Sequence, residues 1–142
     1  MLVSDVKDLV KSLNIFENET INYYCGILDQ KKEQSLGFYK EDYGDNEVNV
    51  NGKAISIKGK QIQILIHWNK NYNETEIAAQ KVYKALEKFN DVIIENKGYE
   101  FKEFKIFYLD LIDGEPLDYK KDPVTDTGVF QQGIRFRLIY TE

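Results

Sequence analysis

This 142-residue chain has one cysteine (Cys25), one histidine (His67), one tryptophan (Trp68), two prolines and only two arginines, Arg135 and Arg137. One cysteine excludes a disulfide framework within the chain and argues against a cysteine-based zinc centre. No apolar stretch approaches the ~18 residues needed to span a membrane. The first residues show no basic segment leading into an apolar one, so the expectation is a protein made and kept in the cytosol. The glycosylation acceptors at Asn18 and Asn73 carry no meaning without secretion. Also missing are a Gly-x-Ser-x-Gly elbow, a His-Glu-x-x-His pair and a Gly-x-x-x-x-Gly-Lys phosphate loop. Nineteen basic against 24 acidic residues leave a net charge of -5. General affinity for nucleic acid needs clustered cations and is not expected. An acidic surface does suit a protein past which DNA slides without sticking.

What is present is a strong apolar pattern. Aromatic residues make up 13% of the chain, and a domain of this length buries about 70% of its unfolded surface. No repeat, linker or low-complexity tract interrupts residues 1–142, so one domain is expected.

Val6, Leu9, Val10 and Leu13 fall at i, i+3, i+4 and i+7, one face of a short helix. Ser4 or Asp5 stands near its start and Asn14 after its end. "INYYCGILD", "QKKEQ" and "SLGFY" read as strand, connection and strand. The loop "KEDYGDNE" is acidic. Asn51-Gly52 between alternating segments is a hairpin signal, and Gly59 between two lysines reads as another turn. Ile62, Ile64, Ile66 and Trp68 then share one side of a long strand, with Gln61, Gln63, Leu65 and His67 on the other.

A long helix follows. Asn73 and Glu76 form a capping-box pattern, with Tyr72 and Ile77 placed as a hydrophobic staple. Ala78, Ala79, Val82, Tyr83, Leu86 and Phe89 make its apolar stripe. "VIIEN", the turn at Lys97-Gly98, and "YEFKEFKIFYLDLI" read as strands. "DGEPLDYKKDPVTDTG" holds both prolines and reads as a loop or irregular edge. In the final strand, Ile134, Phe136, Leu138 and Tyr140 share one face, and Arg135 and Arg137 take the other. The sum is an α+β two-layer sandwich: a largely antiparallel sheet covered on one face by one long and one short helix.

Few residues are candidates for chemistry. His67 titrates near neutrality, but no nucleophile or carboxylate is marked for it, so it reads as a structural histidine at a strand end. Trp68 reads as core. Cys25 reads as a small buried hydrophobe. Glu41, Asp42, Asp45 and Glu47 lack the EF-hand spacing and read as a solvated loop rather than a calcium site. Catalytic, cofactor and metal sites are therefore not expected. Arg135 and Arg137 are either gatekeepers against aggregation or contacts with carboxylates of another subunit.

The succession of "SLGFY", "NGK", "IQILIHWNK" and "NETEIAAQKVYKAL" resembles the minor capsid proteins of long-tailed bacteriophages and prophages. The end agrees, with Pro116, Asp118, Asp126, Gly128, Val129 and Phe130 before "IRFRLIYTE". The resemblance runs from about residue 20 onward and implies a neck or tail-completion component, most like a tail terminator. Such a protein assembles in the host cytoplasm into a ring, usually of six copies, at the virion head–tail junction. The ring caps the tail tube, stops its elongation and meets the head connector, with DNA passing through its lumen. The resemblance also admits a head-side neck or minor capsid role, and a small enzyme using His67 is the remaining alternative. A ring needs two different patches on each subunit. Arg135 and Arg137 are candidates for one, and Glu41, Asp42 and Asp45 for the other.

Overall fold

The computed structural model describes residues 1–17, 19–41, 46–49, 56–119 and 125–142, the side chains of 46–49 and 56 excepted. The expected hairpin at Asn51-Gly52 and the loop residues Asp42 and Asp45 lie outside the described residues. So do Asn18 and Pro123.

Helix α1 spans Val3–Ser12 and buries Val6, Leu9 and Val10. Asp5 accepts the backbone N–H of Leu2 at 2.7 Å, which satisfies one orphan donor at the helix start. Asn14 adopts φ 51°, the left-handed conformation that ends the helix. Strands β1 (Asn22–Cys25) and β2 (Ser35–Lys40) follow, then β3 (Asn46–Asn49) and the long β4 (Ser56–His67). Helix α2 spans Tyr72–Asn96. The chain then forms β5 (Tyr99–Phe101), β6 (Phe104–Leu111), the two-residue β7 (Leu117–Asp118) and β8 (Gln131–Thr141).

The strands form one sheet in the order β1-β2-β4-β8-β6-β5, with β3 also paired to β4 and β7 to β8. Strand β1 runs parallel to β2, and every other pairing is antiparallel. The centre is the pair β4 and β8, aligned from Lys58↔Tyr140 to His67↔Gln131. On one face Ile62, Ile64, Ile66, Ile134, Phe136 and Leu138 are buried together. Helix α1 covers this face over β1 and β2, and α2 covers it over β4, β8, β6 and β5. Both helices share one hydrophobic core with the sheet. The architecture is the expected α+β sandwich.

Five local expectations are corrected. Helix α2 is capped by Asn71, whose side chain accepts from Glu74 N–H at 3.1 Å, so Asn73 lies inside the helix. Tyr72 consequently leaves the staple position and packs edge-on against Phe130. "VIIEN" is helical: Ile93 is buried and continues the stripe of Val82, Leu86 and Phe89. The helix ends where Lys97 turns left-handed and Gly98 N–H reaches the Ile93 carbonyl at 2.9 Å. Gly59 is no turn but a residue within β4. A Cβ there would lie 2.7 Å from Arg137 Nε, so the glycine makes room for a guanidinium. Cys25 is exposed, because it ends the edge strand β1 just before Gly26 turns away at φ 81°.

Candidate subunit-interface surfaces

The face of the sheet opposite the helices is polar, because alternate residues of β4 and β8 must point there. Arg135 and Arg137 stand on it beside Gln63 and Gln61. Arg135 makes a two-pronged contact with Asp113, Nε to Oδ2 at 3.0 Å and Nη2 to Oδ1 at 2.9 Å. This guanidinium holds the Asp113 carboxyl below its ordinary pKa, against the opposing effect of burial. Glu41 lies on the same patch, accepting from Gln61 Nε2 at 2.6 Å and standing 4.0 Å from Arg135 Nη1. The structure therefore brings Arg135 and Glu41 together within one subunit. Arg137 lies half-buried over Gly59, next to Gln61 on β4 and Asp110 on β6.

His67 also points to this side, but it is fully buried. Its Nε2–H donates to the Gln30 carbonyl at 3.0 Å, and Nδ1 accepts from Gln131 Nε2 at 2.7 Å. The carbonyl can only accept, which fixes the neutral tautomer. Burial lowers the pKa of His67, partly offset by the Gln30 bond and by Glu33 and Asp29. An imidazole with both nitrogens engaged and no exposed surface has the geometry of a structural residue, not of a base reaching a substrate. Trp68 is buried against Phe16 at 4.9 Å between ring centroids, as a core residue.

Two further surfaces flank α2. Toward α1, a cleft of about 650 Å³ has an apolar floor including Leu13, Ala85 and Val92 and a rim of Lys81, Lys84 and Lys88. Toward β7, a cleft of about 250 Å³ is lined by Glu76, Glu115, Leu117 and Asp118. Asp118 accepts from Tyr72 Oη at 2.7 Å and from Gln132 Nε2 at 3.0 Å, and this contact raises the Tyr72 pKa. Among the described residues, no group of three or more metal-ligating side chains comes together, and no helix is long and apolar enough to cross a membrane.

The sequence singles out Arg135, Arg137 and Glu41 as interface candidates but not Asp113, whose pairing with Arg135 depends on a loop returning to the sheet. Nor does it single out the lysine stripe, although the spacing i, i+3, i+7 is visible within the helix.

No family model and no curated protein matches the sequence. The fold is similar to that of a chain in a solved structure described as the virion of a native gene transfer agent particle. The likeness covers 99% of this chain and 95% of that one, with a TM-score of 0.56 and 10% sequence identity.

Proposed function

We propose that this chain is a structural component of a long-tailed phage or phage-like particle that completes the tail. In this reading, copies assemble into a ring without catalytic duty that caps the tail tube, stops its growth and offers a surface to the head connector. The observation that carries the reading is a fold shared over nearly the whole chain with a chain of a virion particle. The motif order quoted above, which resembles the minor capsid and tail-terminator proteins, supports it.

The polar sheet face supplies the proposed site. Arg137 and the patch of Arg135 and Glu41 lie there, half-buried and charged, where a neighbouring subunit or tube protein can add to their pairing. The net charge of -5 keeps DNA from adhering as it passes.

Mass in solution, measured by light scattering across protein concentration and ionic strength, tests the reading. A mass near six subunits supports the ring. A monomer that stays monomeric when mixed with tail tubes contradicts it. Charge reversal, Arg135→Glu, is expected to weaken the ring; an unchanged mass and salt dependence would remove Arg135 from the interface.

A further inference from the structure

The cleft beside α1 has a lysine rim and the cleft beside β7 an acidic one, each next to exposed apolar surface. Lys81, Lys84 and Lys88 stand at i, i+3 and i+7 along the cleft next to α1. None of the three pairs with a carboxylate among the described residues. Lys84 and Lys88 are four apart, a like-charge spacing that works against an isolated helix. The cleft floor between them and α1 is apolar, and Val92 at its end is 44% exposed. A groove with an apolar floor and unpaired cations on its rim fits an apolar side chain flanked by carboxylates.

The same chain presents such a group. Leu117 is 45% exposed and stands between Glu115 and Asp118, across the acidic cleft from Glu76. This lip is held rigid: Leu117 pairs with Gly133 of β8, Pro116 is buried, and Asp118 is fixed by Tyr72 and Gln132. At about 100° per residue, the Glu76 and Gln80 side and the Lys84 and Lys88 side lie about 80° apart around α2, and Glu76, Gln80, Lys81 and Lys84 border one another there. Tyr83 ties the first flank to the Asp113 carbonyl at 2.9 Å, while Lys81 lies over the Phe16 ring on the second. Each subunit thus owns two different, mutually complementary patches, the requirement for a head-to-tail contact.

We infer that the lysine-rimmed cleft beside α1 receives the Leu117 lip of a second copy, with Glu115 and Asp118 meeting Lys84 and Lys88. This contact rests on the ring reading and names surfaces for it apart from the arginine face. An interface of this kind uses apolar fit for affinity and charge for register.

Two single-cysteine variants in a Cys25→Ser background test it: Leu117→Cys and Val92→Cys. Oxidation of the mixture is expected to give a mixed disulfide dimer, and neither variant alone gives one. Lys84→Glu and Glu115→Lys are each expected to weaken self-association at least tenfold, with recovery when the two variants are mixed. Particles of ring mass with no mixed disulfide overturn this contact and leave the ring intact. No disulfide and no oligomer, even with tail tubes present, overturns both. Disulfide dimers of Leu117→Cys alone mean a symmetric contact and also overturn the proposal.

Discussion

The two faces of the β4–β8 pair are built from alternate positions of the same two strands and have opposite characters. On the covered face, Ile62, Ile64, Ile134 and Phe136 are almost wholly withdrawn from water. On the other, Gln61, Gln63, Arg135 and Arg137 are half-buried, and the end near His67 is closed over, His67 itself reaching the Gln30 carbonyl. The covered face explains why the chain folds, since burial of large aliphatic and aromatic side chains dominates stability. The open face and the flanks of α2 contribute little to that burial, and they hold the charged groups that an assembling protein needs. On the proposed reading, the difference separates residues whose loss unfolds the chain from residues whose loss leaves a folded subunit unable to assemble.

Substitutions break or sharpen this contrast in a definite order. Phe136→Ala on the covered face is expected to cost about 3–5 kcal/mol, read as a lowered midpoint in urea, with assembly lost only because the subunit unfolds. His67→Ala opens a cavity and strands Gln131 and the Gln30 carbonyl, at roughly 2–3 kcal/mol. His67 also gives stability a pH dependence. Its folded pKa is lowered, so the unfolded chain binds the proton more readily. Stability is full above the ordinary histidine value of about 6.5 and falls as pH drops through that value toward the folded pKa. Denaturant curves at pH 7.5 and 5.5 should differ for the native chain, and the difference should shrink in His67→Gln.

Smaller effects follow. Asn71→Ala removes the α2 cap and is expected to cost about 1 kcal/mol, whereas Asn73→Ala should leave the melting temperature almost unchanged. Asp113→Asn, on the open face, is expected to cost no more than about 1 kcal/mol because the Arg135 pair is partly solvated. The Asp113 pKa is lowered when folded, so this contribution is present above the unfolded carboxyl value and is lost as pH falls through the folded one. The variant's stability should therefore converge with that of the native chain in acid. A large loss of stability from Asp113→Asn at neutral pH would erase the distinction between the two faces.

The covered face was legible in the sequence because period-2 alternation in 62–68 and 134–140 and the 3.6-residue stripe of α2 are local signals. Asn14 and Lys97-Gly98 were legible for the same reason. "VIIEN" was not, since a short apolar run reads equally as strand or helix, and only Ile93 in line with Phe89 settles it. Gly59 was read as a turn because its reason lies across the sheet, in Arg137. Asn71 and Asn73 are both good caps by residue type, and the choice followed from where the chain leaves β4. Of the proposed assembly surfaces, the arginines stand out by rarity. Asp113 lies 22 residues from Arg135, and the complementarity of the two α2 flanks depends on which loops pack beside them.

The most direct test of the account is the growth of tail tubes in the presence of the purified protein. Tube length measured by electron microscopy should stop increasing once about one ring's worth of subunits is present per tube end, with the protein seen only at the ends. Tubes that grow to the same length with and without it, and carry none of it at their ends, would contradict the account.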